Sequence, residues 1–162
     1  MRLPALAQPL TRLGRGLVPA ALVLLLDQLT KWVMVSLVMV PPRIIEVTPF
    51  FNLVMAWNTG VSFSLFTGAG PWLLTGLSLG IAGGLMLWLA RADGKRLRLA
   101  LSLIIGGAIG NAIDRIRFGA VADFLDVHAM GYHWPAFNVA DSAITIGAVL
   151  LVWDSLFPAR KG

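Results

Sequence analysis

Long apolar runs with few interruptions dominate the pattern of hydrophobic and polar positions along the chain. A membrane-spanning helix needs about 20 mostly apolar residues, and four windows of that kind lie at 16–40, 71–90, 99–115 and 139–157. The second window carries no charge, whereas the third is apolar only as far as Ile113, before Asp114 and Arg115. We therefore predict four spanning helices, and we expect the outer end of the third to be polar or sheltered by protein.

The composition agrees with a membrane protein and excludes several other classes. Of the 162 residues, 57% are hydrophobic and 13% are charged, whereas a soluble domain has about 25% charged residues. The chain has no cysteine, which excludes disulfides and thiolate chemistry. A net charge of +5 could suggest a nucleic-acid partner, but such binders need basic residues clustered on a solvated face. The apolar runs leave little room for such a face, so we expect no nucleic-acid partner.

The N-terminal run could also be a cleaved signal peptide, because arginines precede it. It has no small-residue cleavage site, however, and it continues beyond Asp27 and Lys31. We therefore predict an uncleaved first span and a single domain over residues 1–162.

The basic residues predict the orientation of the spans. Three of them fall in the segments that follow the first and third spans, namely Arg43, Arg115 and Arg117. Nine fall in the segments of the opposite side: Arg2, Arg12, Arg15, Arg91, Lys95, Arg96, Arg98, Arg160 and Lys161. Since basic residues accumulate on the cytoplasmic side, we predict that both termini are cytoplasmic and that 41–70 and 115–138 face outward.

The two outer segments are longer than most connections, which have about 4–6 residues. Residues 43–54 are rich in β-branched and aromatic side chains, which predicts short strands against the membrane surface, and 41–70 as a whole could form a lid. We expect 115–138 to be a connecting loop. Glycines recur every four positions at 76, 80 and 84, and again at 106 and 110, which predicts two faces of close helix packing.

Two polar stripes in the spans need more than a packing explanation. Asn111, Asp114 and Arg115 would share one helix face at the end of the third span, and Asn138 and Asp141 would share another at the start of the fourth. With Asp123 on the segment between them, the spacing permits Asp123 and Asp141 to lie side by side. It does not prove that contact.

Two carboxyl groups at close range cannot both ionise easily, so one of them keeps a proton. The ionised group can take a proton from water while the protonated group donates to a carbonyl oxygen. This is the chemistry of an aspartic protease, which uses neither a metal nor a nucleophilic side chain. Asp27 and Lys31 are four residues apart and can be a buried ion pair, a lysine that reaches the outer interface, or part of the site.

A small transporter is the main rival, because intramembrane Asp27, Lys31, Asp114 and Asp141 could relay protons. The inner halves of the spans are nearly free of ionisable groups, however, and the sequence has no inverted repeat. His128 and His133 lack the spacing of a zinc motif, so we interpret them as solvated or interfacial side chains. We predict no metal site.

Four blocks of sequence resemble the signal peptidase II family of lipoprotein signal peptidases. They occur in the family's order and cover nearly the whole chain. The blocks are Asp27-Gln28-Leu29-Thr30-Lys31, Asn58-Thr59-Gly60-Val61-Ser62-Phe63, Gly107 to Arg115 with Val121-Ala122-Asp123-Phe124, and Phe137-Asn138-Val139-Ala140-Asp141-Ser142. In the second block Ser62 stands where many members have alanine, which puts nothing catalytic in doubt.

The resemblance implies an aspartic endopeptidase of the bacterial inner membrane, without a cofactor, that cuts diacylglyceryl-modified prolipoproteins before the lipid-bearing cysteine. It implies an all-α membrane protein: four transmembrane helices with a small extracytoplasmic β-cradle and a short surface helix. We expect membrane lipid as a further partner, a site near the extracytoplasmic face, and a monomer. Matched by motif, the catalytic residues would be Asp123 and Asp141; the substrate-binding residues Asn58, Gly60, Asn111, Arg115 and Asn138; and the supporting residues Asp27, Lys31 and Asp114. We also expect Arg115 to balance the charge of Asp114.

Overall fold

A bundle of four helices carries a small antiparallel sheet at one end. The structure is a computed structural model, and it describes residues 7–60 and 70–157. A π-helical turn, Met34–Val38, extends the first helix. The elements are α1 (Ala7–Val33), β1 (Ile45–Thr48), β2 (Phe51–Asn58), α2 (Gly70–Arg91), α3 (Lys95–Phe118), β3 (Val121–Ala129), β4 (Tyr132–His133) and α4 (Val139–Leu156).

The four predicted spans are confirmed. Within the described residues, four helical stretches are long and apolar enough to cross a membrane: Gly16–Val38, Trp72–Arg91, Lys95–Phe118 and Val139–Leu156. The third is longer at both ends than predicted, and it is the central helix, since α1, α2 and α4 all pack against α3. Its apolar window is 61% buried, against 17–22% for the other three. Neighbouring helices therefore shelter the polar end of the third span, as expected.

Glycines allow α3 to approach its neighbours closely. A Cβ atom added at Gly106 would lie 2.5 Å from the backbone oxygen of Ala20 on α1, and one added at Gly107 would lie 2.5 Å from that of Ala140 on α4. The packing face predicted for α3 is thus confirmed. The one predicted for α2 is wrong, because a Cβ atom at residues 76, 80 or 84 would meet no atom of the described residues within 4 Å.

The sheet has the strand order β1-β2-β3-β4. The strands predicted within 43–54 are confirmed as β1 and the start of β2. The connecting loop expected after the third span is wrong for Val121–Ala129, which forms β3 and pairs with β2 in the register Ala56 to Asp123. Gly119, with a φ of 72°, ends α3 in the left-handed conformation that glycine favours and turns the chain into this strand. Asp123 therefore projects from a paired strand instead of a loop.

The short surface helix has no counterpart within the described residues, whose only short helical segment is the π-helical turn that continues α1. Residues 61–69 of the predicted outer lid lie outside the described residues.

Replacing Gly107 by alanine is expected to destabilise the bundle, because the new methyl group would press on the backbone of α4. Overpacking of this kind typically costs about 1–3 kcal/mol. Gly80→Ala is the matched control, since its methyl group meets no described atom within 4 Å. Thermal unfolding of both variants in detergent is the measurement, and equal melting temperatures would contradict the close approach of α3 to α4.

Candidate active site

Asp141 is held at the start of α4 by a reciprocal pair of hydrogen bonds. Asn138 is the N-cap of this helix, and its Oδ1 accepts from the backbone N–H of Asp141 at 3.0 Å. In return, Oδ2 of Asp141 accepts from the backbone N–H of Asn138 at 3.2 Å. This capping box uses two N–H groups that the helix itself leaves unpaired. The spacing of three residues between Asn138 and Asp141 therefore orients the carboxyl group at a helix N-terminus.

Asn138 also contacts the second carboxyl group. Its Nδ2 donates to Oδ1 of Asp123 at 2.7 Å. Both ends of the fully buried Asn138 amide are thus engaged, one by α4 and the other by β3. The structure brings Asp123 and Asp141 together around this one side chain, as their spacing permitted.

Each carboxyl group has one further amide donor. Asn58, at the end of β2, donates from Nδ2 to Oδ2 of Asp123 at 3.1 Å, and its own Oδ1 accepts from the backbone N–H of Gly60 at 3.0 Å. Asn111, on α3, donates from Nδ2 to Oδ1 of Asp141 at 2.7 Å. The three asparagines predicted for the site are therefore all within hydrogen-bond distance of the carboxyl pair.

The surroundings of Asp123 favour its protonated form. Burial, which leaves the residue 2% exposed, and the nearby charge of Asp141 raise the pKa of Asp123 to about 7. The hydrogen bonds from Asn58 and Asn138 lower this pKa but do not outweigh burial. The pair therefore holds a proton below neutral pH, and the titration belongs to the two groups together.

Arg115 does not pair with Asp114, so that expectation is wrong. Its Nη2 donates to the backbone oxygen of Gly60 at 3.1 Å, and its buried Nε has no partner within the described residues. Asp114 is instead 2.9 Å from the ammonium of Lys31. The positive charge of Arg115 acts on both carboxyl groups of the pair, while its bond to Gly60 ties the segment after β2 to α3.

The supporting residues form a buried charge cluster beside the pair. Nζ of Lys31 lies 2.9 Å from Oδ2 of Asp27, and the lysine is 3% exposed, so it does not reach an interface. The same nitrogen donates to Oδ1 of Asn111 at 2.9 Å. Two of the three interpretations left open are both correct: Asp27 and Lys31 are a buried ion pair, and Lys31 also contacts a residue of the site.

Gln28 belongs to this cluster and was not singled out by the sequence reasoning. Its Nε2 lies 3.1 Å from both Asp27 and Asp114 and 3.3 Å from the backbone oxygen of Gly110. The available signal was its position next to Asp27, as a second polar residue within an apolar span.

Two cavities meet at Asp141. One, of about 520 Å³, is bordered by Trp134 to Phe137 and by the first turns of α4; the other, of about 270 Å³, lies among α2, α3 and α4. Asn58, Asp141 and Ile144 border both cavities. Apolar side chains dominate the second cavity, while Asn111 and Arg115 add polar groups at its end near the pair. A mostly apolar cleft therefore reaches Asp141 between the third and fourth spans.

A second polar cluster lies on the sheet. His133 is half-exposed, as expected, and its Nδ1 is 2.9 Å from the carboxylate of Asp126, while His128 stacks on its ring. Burial acts to raise the pKa of Asp126, but the hydrogen bonds with His133 and Asn52 outweigh it and hold the pKa below its ordinary value. Within the described residues, no three His, Asp or Glu side chains are grouped to hold a metal ion.

Within the described residues, four helices fit to span a membrane and a carboxyl pair beside a cleft are typical of a multi-pass membrane protein of the aspartic peptidase type. The family model described as signal peptidase (SPase) II matches residues 19–157. The chain belongs to the signal peptidase II family.

Relatives and solved structures agree with this membership. The chain is 48% identical over 155 residues to a lipoprotein signal peptidase of Methylobacterium radiotolerans, an alignment that covers 92% of this chain and 90% of that one. It is 51% identical over 148 residues to a lipoprotein signal peptidase of Cupriavidus taiwanensis, with 88% and 82% covered. A bacterial membrane enzyme solved by the in meso method at 1.9 Å superimposes with a TM-score of 0.79 and 31% identity, over 90% of this chain and 95% of that one.

Arg115→Ala is expected to reduce activity more than stability. The substitution removes the bond to Gly60, and with it the anchor of the segment that positions Asn58 against Asp123. We expect kcat/KM for prolipoprotein cleavage to fall about tenfold or more, since a hydrogen bond from a charged group is typically worth about 1.5–3 kcal/mol.

The matched control is Arg117→Ala. Arg117 lies two residues after Arg115 on α3; it is exposed and lies over the ring of Phe118. Rates that fall equally in both variants would show that the effect of Arg115 is not specific to the site.

Proposed function

We propose that Asp123 and Asp141 are the catalytic pair with which this member of the signal peptidase II family removes signal peptides from prolipoproteins. The observation that carries the proposal is the position of Asn138, whose buried side chain donates to Asp123 while its backbone N–H donates to Asp141. A single residue thereby holds two carboxyl groups together at the end of a cleft.

The two carboxyl groups have different surroundings, which supports different roles. Asp141 borders both cavities and is the member within reach of water and substrate. Asp123 is almost completely buried, and its raised pKa keeps it protonated below about pH 7. Asp141 is therefore the general base, and Asp123 is the general acid.

Hydrolysis then follows in two steps. Asp141 removes a proton from water as the water oxygen attacks the scissile carbonyl carbon, and Asp123 donates its proton to the carbonyl oxygen, which gives a tetrahedral diol. Asp141 next returns its proton to the leaving nitrogen, and Asp123 takes a proton back from the diol as the carbon–nitrogen bond breaks. The pair ends with the single proton with which it began.

The substrate in this proposal is a prolipoprotein with a diacylglyceryl-modified cysteine, cut on the N-terminal side of that cysteine. The apolar borders of the two cavities suit an acyl chain and a signal helix, and Asn58, Gly60, Asn111, Arg115 and Asn138 would bind the peptide around the scissile bond. The uneven distribution of basic residues supports an inner-membrane orientation with cytoplasmic termini and an extracytoplasmic site. One chain carries both carboxyl groups, which supports a monomer in contact with membrane lipid.

Substitution of either aspartate by asparagine is expected to abolish cleavage while the protein still folds, because the shape is kept and the exchangeable proton is lost. The expected loss in kcat is at least about 10²-fold. The measurement is cleavage of a diacylglyceryl-modified prolipoprotein by purified protein in detergent.

Asp154→Asn is the matched control, since this aspartate lies near the other end of α4, 3.9 Å from Arg96. Wild-type rates in Asp123→Asn or in Asp141→Asn would remove that residue from the chemistry.

The pH dependence follows from the raised pKa of Asp123. Because Asp123 must be protonated to donate, kcat/KM is expected to fall as the pH rises through about 7. The same shift affects the free energy of unfolding. The folded chain binds this proton more tightly than the unfolded chain, in which the pKa of Asp123 is near 3.8. The stabilisation that Asp123 contributes is therefore lost as the pH rises from about 4 to about 7. Asp123→Asn should flatten this part of the plot of stability against pH, and an unchanged plot would contradict the assignment of the proton to Asp123.

A further inference from the structure

The ammonium of Lys31 uses all of its hydrogens inside the bundle. An ammonium group has three N–H donors and no acceptor. Nζ of Lys31 lies 2.9 Å from each of three oxygens, which belong to Asp27, Asp114 and Asn111. Two of these contacts pair charges. The third is directed at a neutral amide that the charge balance of the cluster does not require.

That third contact, the shorter of two to the Asn111 oxygen, determines which way the Asn111 amide faces; Nδ2 of Asn138 supplies the longer one at 3.3 Å. The Asn111 oxygen accepts from Lys31, and the Asn111 nitrogen donates to Oδ1 of Asp141 at 2.7 Å. An asparagine amide can be turned over so that its oxygen and nitrogen exchange places. In the turned-over state the amide NH₂ would face an ammonium and the amide oxygen would face a carboxylate, so both contacts would be repulsive. With Lys31 in place, Asn111 presents an N–H donor to Asp141.

We propose that Lys31 is a positioning residue for the hydrolysis: acting through Asn111, it directs an N–H donor at Asp141 and so keeps Asp141 as the member of the pair that accepts the proton from water. This inference rests on the proposed function of the pair. Lys31 touches neither the substrate cavities nor the two carboxyl groups directly. Its charge also acts on Asp123, so the test has to separate the contribution of the amide from that of the charge.

The charges around Lys31 decide how it can be tested. Asp27, on α1, also accepts from the backbone N–H of Ala140 at 2.9 Å, and Asp114, on α3, also accepts from that of Ala122 at 3.1 Å. Removal of the lysine alone would leave two buried carboxylates without their cation, which would obscure any effect on catalysis. Arg115 supplies the other positive charge that acts on the pair, and it stays in place in every variant below.

The test compares three variants in which Asp27 is replaced by asparagine. Asp27→Asn alone keeps Lys31 and its bond to Asn111, and it sets the reference rate. Lys31→Met with Asp27→Asn removes one charge of each sign, so the cluster keeps its wild-type net charge. The oxygen of Asn111 then loses its lysine donor and keeps only the 3.3 Å contact from Nδ2 of Asn138. Lys31→Gln with Asp27→Asn has the same charge as the methionine variant and a similar size, but it restores an N–H donor.

We expect kcat of the methionine variant to be about tenfold below the reference, with KM little changed. The acid limb of its pH–rate profile should lie at higher pH, because the pair has lost both a donor and the charge of Lys31. The glutamine variant, which has the same charge as the methionine variant, separates these two causes. It should lie between the methionine variant and the reference. Substrate cleavage across a pH series, with melting temperatures measured alongside, provides these values.

Equal kcat values and acid limbs in the methionine and reference variants would overturn the inference. A lower kcat with an unchanged acid limb, and equal values for methionine and glutamine, would also overturn it, since that pattern indicates a purely structural lysine. Adding Asn111→Ala to the reference and methionine variants provides a further check: the effect of Lys31 should diminish once the amide is gone, and an undiminished effect would contradict the inference. Cleavage by Asp123→Asn in the same assay would instead contradict the proposed function.

Discussion

The buried ammonium of Lys31 is the interaction on which the rest of the site depends. A charge inside a membrane bundle is costly unless it is fully paired, and here three oxygens from α1 and α3 surround it. Asp27 extends the cluster to α4 by accepting from the backbone N–H of Ala140. Three helices therefore meet at one charge, and loss of one partner from such a buried pair typically costs about 3–5 kcal/mol.

From this centre the hydrogen bonds continue outward to the sheet. Asn111 connects the charge cluster to Asp141, and Asn138 connects Asp141 to Asp123. Beyond Asp123 the chain of contacts passes through Asn58 to Gly60, whose backbone oxygen accepts from Arg115. The carboxyl pair is thus held from both ends, by the membrane bundle on one side and by the segment after β2 on the other. A change at either end is expected to alter how tightly the pair binds its proton.

The sequence allowed the spans and the members of the site to be predicted, because a spanning helix requires a long apolar run and charged side chains inside such runs need a reason. The contacts were harder to predict. Arg115 was expected to balance Asp114, but adjacent residues on a helix do not face each other, and Lys31 from another helix takes that place. The strand that carries Asp123 was missed because most of residues 121–126 are buried, so the alternation of apolar and polar positions that marks a half-buried strand is absent. The orientation of the Asn111 amide depends on a lysine 80 positions away in the sequence, which no local pattern records.

In the proposed mechanism the resting pair holds one proton, on Asp123. Infrared spectroscopy of protonated carboxyl groups over a pH series measures this directly. We expect a protonated carboxyl band that titrates with a midpoint of about 7, that is lost in Asp123→Asn and that is retained in Asp154→Asn. A pair without a protonated carboxyl band below pH 7, or a band that survives in Asp123→Asn, would contradict this mechanism.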